Sequence, residues 1–96
     1  MANASAQLVA LPAVVDLDAL EDVRDRLLAA MASGPVTVSG AAVERVTTNA
    51  LLMLVSAAES SRRNTTDFAI EAPSKPMQVA IERLGFSEHF AEMMRG

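Results

Sequence analysis

Two neighbouring segments, residues 36–40 (VTVSG) and residues 43–54 (VERVTTNALLML), decide how this chain folds. The first is a short strand-like run, and the second leads from a polar turn into an apolar helix. Thr47, Thr48 and Asn49 therefore lie where a loop becomes the N-terminus of a helix. Backbone N–H groups are unpaired at such a place, so it suits anions and would display a modified hydroxyl. The functional interpretation of this sequence starts with these three residues.

The composition predicts one small domain. The chain has 96 residues, of which 51% are apolar and 3% are aromatic. A domain of this size buries only about 60–65% of the surface of its unfolded chain, so its core is thin. Because no linker, repeat or low-complexity tract interrupts the chain, we expect a single domain over residues 7–94, preceded by a loose leader at residues 1–6.

Charge and residue usage argue against several classes of function. The net charge is −4 and the chain has no Tyr or Trp, which disfavours nucleic-acid binding. The chain contains no cysteine and a single histidine, His89, so we expect neither thiol chemistry nor a metal site. No run approaches the ~20 apolar residues of a membrane span, and the N-terminus lacks the basic start of a signal peptide. We therefore expect a cytoplasmic, non-enzymatic protein without cofactor or metal and without direct membrane insertion.

Alternating strands and helices predict the fold class. We expect an α/β fold, in which a small mixed sheet is covered by about four helices in the order β-β-α-β-α-β-α-α. The predicted strands are residues 7–11, 13–15, 36–39 and 67–72. Capping residues predict the helix starts at Asp18 (paired with Glu21), at Thr47 or Thr48, at Ser74 and at Ser87. The predicted helix ends are Gly34-Pro35, residues 64–66 and Gly85, and Pro73 is predicted to end the strand at residues 67–72.

Helical periodicity predicts which side chains face the core. The predicted inward residues are Leu20, Val23, Leu27, Leu28 and Met31 in the first helix, Leu51, Leu52, Met53, Leu54, Val55 and Ala58 in the second, and Met77, Ala80, Ile81 and Leu84 in the third. On the outer face, Glu59 and Arg63 are four residues apart, which predicts an ion pair. Near the C-terminus, Phe90, Met93 and Met94 are expected to close the bottom of the core.

The turn at Thr47, Thr48 and Asn49 admits two interpretations. In the first, which the residues alone favour, one threonine is an ordinary N-cap that contributes about 1 kcal/mol. In the second, a threonine is a phospho-acceptor, whose phosphate gains from the helix dipole and adds up to about two negative charges. The interpretations are compatible, because a cap can also be an acceptor. By contrast, Ser74 is interpreted as a cap only, His89 as a solvated surface residue, and the acidic residues of 16–25 as a charged helix face.

The order and spacing of these elements resemble the STAS domain family, which is named for sulfate transporters and anti-sigma factor antagonists. Its members carry a strand, a hydrophobic residue and Asp-Ser-Ser-Gly or a variant before an apolar helix; residues 46–51 (VTTNAL) stand at this place here. Residues 11–17 (LPAVVDL), Pro73-Ser74 and residues 84–86 (LGF) also fit the family's pattern. The LPxxxDL run together with residues 39–43 (SGAAV) looks like the small STAS proteins encoded beside bacterial chemotaxis genes.

The resemblance implies a phospho-acceptor at Thr48. In the antagonists, the hydroxyl that follows the motif Asp is phosphorylated by a serine kinase that is also the anti-sigma factor. Unphosphorylated antagonist binds this kinase and frees the sigma factor. This chain departs from the motif, since Thr47 replaces the Asp, Asn49 the second Ser and Ala50 the Gly. The first replacement removes a carboxylate from beside the acceptor.

The resemblance leaves three kinds of function open. A regulatory module would dock a kinase-like anti-sigma factor or a chemotaxis protein, with Thr47, Thr48, Asn49, Met53 and Ser56 as the predicted contacts. A constitutive subunit would brace the ATPase of a membrane transporter, including transporters of lipids. A small-molecule sensor would bind a nucleotide or lipid, but no phosphate loop or aromatic clamp in the sequence supports that role.

Overall fold

The computed structural model describes residues 7–91 and 93–95. In chain order its elements are β1 (Gln7–Ala10), β2 (Val14–Val15), α1 (Leu17–Ser33), β3 (Val36–Ser39), β4 (Arg45–Val46), α2 (Thr48–Arg63), β5 (Phe68–Glu71), α3 (Lys75–Arg83), α4 (Ser87–Ala91) and β6 (Met94–Arg95). The predicted α/β class with four helices is confirmed. The predicted leader at residues 1–6 lies outside the described residues, and the single-domain boundaries 7–94 stay a prediction.

The strands form two small sheets. One has four strands in the order β1-β3-β5-β6, and the other pairs β2 with β4. In the larger sheet, Val38 of β3 lies between Val9 of β1 and Ile70 of β5. All four described pairings are parallel, so the predicted mixture of strand directions was wrong. A parallel pairing needs a crossover connection. In the larger sheet, α1 lies in the connection from β1 to β3, α2 in that from β3 to β5, and α3 and α4 in that from β5 to β6.

The first helix begins at a different residue from the one predicted. Asp16 caps α1, because its side chain accepts a hydrogen bond from the N–H of Ala19 at 3.1 Å, and Asp18 lies inside the first turn. An N-cap needs an extended backbone, and Asp16 has φ −108° and ψ −169° directly after β2. The predicted stop at Gly34-Pro35 is confirmed. Gly34 has φ 135°, a conformation that favours glycine, and its N–H donates to the carbonyl of Met31.

The later helices largely follow the predicted signals. Thr47 and Ser74 cap α2 and α3, and α2 ends at Arg63 as predicted. Ser87, the predicted cap of the last helix, is instead the first residue of α4. On α2, Glu59 pairs with Arg62 at 3.0 Å, so the predicted pairing with Arg63 was wrong. Spacings of three and four residues both place charges on one helix face, and sequence alone does not choose between them.

The core lies between the helices and the larger sheet. Its fully buried members include Val36, Val38 and Ile70 from strands and Leu27, Leu51, Leu54, Met77 and Phe90 from helices. Phe90 and Met93 are buried as predicted, and the side chain of Met94 lies outside the described structure.

Three leucines predicted to face the core are exposed instead. Leu28, Leu52 and Leu84 are 56%, 47% and 44% exposed. Leu28 and Leu52 each follow a buried leucine, and adjacent helical residues point about 100° apart, so only one of each pair reaches the sheet. Leu84 is the C-cap of α3, where the chain leaves the helix.

Candidate functional site

The loops that follow β1, β3 and β5 meet at the carboxyl edge of the larger sheet. The N–H of Leu11 donates to Ser39 at 3.0 Å, and the N–H of Gly40 donates to Glu71 at 3.2 Å. The N–H of Ser74 donates back to the carbonyl of Gly40 at 3.0 Å. In parallel α/β sheets, ligands and partners commonly bind at this edge, because the loops and helix N-termini gather there. The helices α2 and α3 both begin near this cluster of loops.

Thr47 is a structural cap at the start of α2. Its side-chain oxygen accepts a hydrogen bond from the N–H of Ala50 at 3.2 Å, and its carbonyl accepts from Leu51 at 3.1 Å. Its own N–H donates to Val15 of β2 at 3.1 Å, which ties the helix start to the smaller sheet. The preferred interpretation of this turn as a helix cap is therefore confirmed, and it applies to Thr47. The hydroxyl oxygen of Thr47 is committed to the helix.

Thr48, unlike Thr47, does not cap the helix. It is exposed, it is the first residue of α2, and within the described part of the chain its hydroxyl forms no hydrogen bond. The backbone N–H groups of Thr48 and Asn49 have no acceptor within the helix, because they belong to its first turn. That turn contains no acidic residue. A phosphate on Thr48 would thus meet unpaired donors and the positive end of the helix dipole.

The five predicted contact residues lie along one side of α2. Thr48 and Ser56 are exposed and lie eight residues apart, with exposed Leu52 between them. Positions four apart share a helix face, so these three residues form a stripe. Asn49, which is exposed, and Met53, which is half-buried, lie beside that stripe at the same spacing. The structure therefore brings Thr48, Asn49, Met53 and Ser56 to one surface, with Thr47 at its end.

A groove between α1 and α2 continues this surface. It encloses about 210 Å³ and is lined by Arg24, Leu27, Leu28 and Met31 of α1 and by Met53, Ser56, Ala57 and Ser60 of α2. We call the stripe of Thr48, Leu52 and Ser56 together with this groove the α1–α2 surface. Sequence reasoning missed Leu28 and Leu52 here. The available signal was the doubled leucine in each helix, because both members of such a pair do not fit a single core-facing stripe.

Ser74 serves the fold, as predicted. Its hydroxyl oxygen accepts a hydrogen bond from the N–H of Met77 at 3.2 Å, which caps α3. The same hydroxyl donates to the carbonyl of Val43 in the loop before β4. The hydroxyl therefore donates its one proton and accepts one hydrogen bond within the fold, and Ser74 joins two loops.

The remaining candidates are His89 and the acidic residues of α1, all of which are exposed in the described structure. His89 is exposed and packs edge to face against Phe86, with ring centroids 5.8 Å apart. Asp22 pairs with Arg26 at 3.2 Å on the exposed face of α1, which fits the predicted charged surface. No three His, Asp or Glu side chains of the described residues come together in a way that could hold a metal ion.

Comparison with known proteins supports the fold. No protein-family model and no curated protein matches this chain. Among solved structures, the chain is similar to a protein described as a sulfate transporter family protein from Wolinella succinogenes, with a TM-score of 0.67. The two are 18% identical, and the alignment covers 92% of this chain and 74% of the other. At this identity the similarity shows a shared fold, and it supports the STAS-like architecture. In the part of the chain described, no helix has the length and apolar character needed to span a membrane.

Proposed function

We propose that this chain is a non-enzymatic regulatory module of STAS type, located in the cytoplasm, that binds a protein partner through its α1–α2 surface. Thr47 positions the helix, while Thr48, Asn49, Met53 and Ser56 contact the partner. The partner is a kinase-like anti-sigma factor or a chemotaxis signalling protein, and Thr48 is the residue whose phosphorylation switches binding. No nucleic acid takes part, which agrees with the net charge of −4.

One observation carries the proposal: an exposed hydroxyl that forms no hydrogen bond in the described structure lies one helical turn from exposed Leu52. Thr48 is exposed, and Leu52 and Leu28 are 47% and 56% exposed on the surface that extends from it. Leu28 lines the groove and Leu52 lies on the stripe beside it, and exposed apolar side chains at a groove are typical of a protein-binding surface. Phosphate at Thr48 would add up to about two negative charges at the rim of that apolar surface. A partner that buries the leucines would then have to desolvate the phosphate or lose the contact.

Quantitative capture from the native cell tests this proposal. The bait proteins are the tagged wild type, Thr48→Glu, Leu52→Asp and the matched control Ser87→Glu, which also places a carboxylate at an exposed first residue of a helix. We expect one partner whose capture falls at least about tenfold with Thr48→Glu and with Leu52→Asp but is unchanged with Ser87→Glu. Mass spectrometry of the wild-type bait should find phosphate on part of the Thr48 pool. Equal capture by all four baits would refute the α1–α2 surface.

A constitutive subunit of a membrane transporter ATPase, including a lipid transporter, is the second candidate. The permanently exposed apolar side chains Leu28 and Leu52 favour it, because a stable subunit contact needs no switch. The neighbouring solved structure is described as belonging to a sulfate transporter family, which agrees with this candidate. Capture with the same four baits distinguishes the regulatory module from the constitutive subunit. Capture of a transporter ATPase that is lost with Leu52→Asp but retained with Thr48→Glu, without phosphate on Thr48, would favour the constitutive subunit.

A further inference from the structure

A second groove lies between β4 and α3. It encloses about 550 Å³, the largest volume among the grooves described here. Its apolar lining consists of Val46, Pro76, Val79, Ala80 and Leu84. Leu84 is 44% exposed, although it was predicted to face the core. A contiguous apolar lining that stays open to solvent is a candidate for contact with another molecule.

The rim of this groove is positively charged in a protein that is negative overall. Arg45, Lys75 and Arg83 line it, and Glu44 is the one acidic residue of its described lining. The whole chain contains only eight Lys and Arg residues and has a net charge of −4. Within the described structure, these three cations form no ion pair. Their local excess of charge therefore remains available to an acidic molecule.

The spacing of the cations indicates the shape of that molecule. Lys75, Val79 and Arg83 are four residues apart on α3, so they lie along one helix face with the apolar residue between the two charges. Eight residues of helix separate the charges by about 12 Å along the axis, at 1.5 Å per residue. One phosphate or carboxylate does not reach both ends. A segment with carboxylates at both ends and apolar side chains between them does.

We propose that the β4–α3 groove binds an acidic amphipathic segment of a protein partner. Its apolar side chains pack on Val79 and Leu84, and its carboxylates pair with Arg45, Lys75 and Arg83. A lipid membrane is a poorer match, because Val46, Val79 and Ala80 of the lining are already half-buried in the fold and Leu84 is its one exposed large apolar side chain. The proposal does not rest on phosphorylation of Thr48, so it stands whether or not the α1–α2 surface is a switch.

The test uses defined peptides and measures binding by fluorescence anisotropy and by amide chemical shifts. The probe is a labelled peptide of about 14 residues, with a leucine-rich middle and glutamates toward both ends. Its controls are the same peptide with lysines for the glutamates and the same peptide with serines for the leucines. We expect the acidic amphipathic peptide alone to bind, with shifts confined to residues 44–46 and 75–84. Binding should weaken by at least about tenfold at high salt, because the charges are at the surface.

Two triple variants decide whether the site is local. Arg45→Gln/Lys75→Gln/Arg83→Gln removes the rim, and Arg24→Gln/Arg26→Gln/Arg63→Gln removes three cations elsewhere, so both variants carry the same net charge. We expect the first to weaken peptide binding at least about tenfold and the second to leave it within about twofold. Val79→Ser should weaken binding too, whereas Leu52→Ser, on the α1–α2 surface, should not. Equal weakening by both triple variants, shifts that map to α1 and α2, or binding to anionic vesicles in place of the peptide would overturn the proposal.

Discussion

The starts of α2 and α3 use the same capping chemistry but leave different groups free. At both, a hydroxyl oxygen accepts the N–H three residues onward at 3.2 Å. The Ser74 hydroxyl also donates to the carbonyl of Val43, and the next residues include Pro76, which has no N–H to offer. At α2 the cap is Thr47, and its neighbour Thr48 carries a second hydroxyl that is exposed. The start of a helix is therefore a candidate regulatory site only where one residue caps the helix and a different residue presents an exposed hydroxyl.

The largest expected effect concerns Gly40, which lies beneath the start of α3. A Cβ atom at this position would lie 2.6 Å from Sδ of Met77 and 3.3 Å from Cα of Pro73. Met77 is completely buried, so its side chain has little room to move away. We expect Gly40→Ala to lower the free energy of unfolding by about 2–3 kcal/mol, measured by urea denaturation.

A double-mutant cycle sharpens that test. Met77→Ala removes the sulfur atom that the methyl group added by Gly40→Ala would contact. In that background, the loss of unfolding free energy caused by Gly40→Ala should be smaller by at least about 1 kcal/mol. An equal cost in both backgrounds would mean that the crowding at Met77 does not determine the requirement for glycine.

The next effect separates the two uses of the Ser74 hydroxyl. Ser74→Ala should cost about 2 kcal/mol, because it removes a cap and leaves the buried carbonyl of Val43 unpaired. Ser74→Asp keeps an acceptor for the cap but has no donor for Val43, so it should still cost about 1 kcal/mol or more. Denaturation of both variants measures the difference. A stable Ser74→Asp variant would contradict the double role and make the two helix starts equivalent.

The smallest effects are expected at α2. Thr47→Ala should cost about 1 kcal/mol, and Thr47→Asp should stay within about 0.5 kcal/mol because a carboxylate also caps. Thr48→Ala is the matched control on the adjacent residue, and it should change stability by less than about 0.5 kcal/mol. These values come from the same urea measurement. A cost for Thr48→Ala equal to that of Thr47→Ala would show that Thr48 is part of the cap and has no hydroxyl to spare.

Local patterns in the sequence predicted much of this fold. The start of α2 at Thr47 or Thr48, that of α3 at Ser74 and the stop of α1 at Gly34 were predicted from residues within one helical turn of each boundary, and the structure selects Thr47. The same signals gave the wrong residue at α1, where Asp18 was predicted and Asp16 is the cap, because both side chains have the chemistry of a cap. The end of β2 decided between them, because it leaves Asp16 extended.

The candidate site was predicted in part. The sequence placed Thr48, Asn49, Met53 and Ser56 together, because helical spacing is a local property. It did not identify Leu28 as their neighbour, since α1 and α2 become adjacent only when both pack on the sheet. The two-residue strands β4 and β6 were missed for a related reason: their residues pair with distant strands and show no period of their own.

By itself, the sequence determined the α/β class, a start of α2 at Thr47 or Thr48, the cap of α3 at Ser74 and the stop of α1 at Gly34, because each depends on residues close together in the chain. Only the tertiary structure decided which leucine of each adjacent pair is buried, that Ser74 holds Val43, and that Arg45 faces Lys75 and Arg83 across a groove. Those contacts join residues about thirty or more positions apart. They form when the helices and strands pack together. Helical periodicity allows either leucine of a pair to face the core, and packing determines which one does.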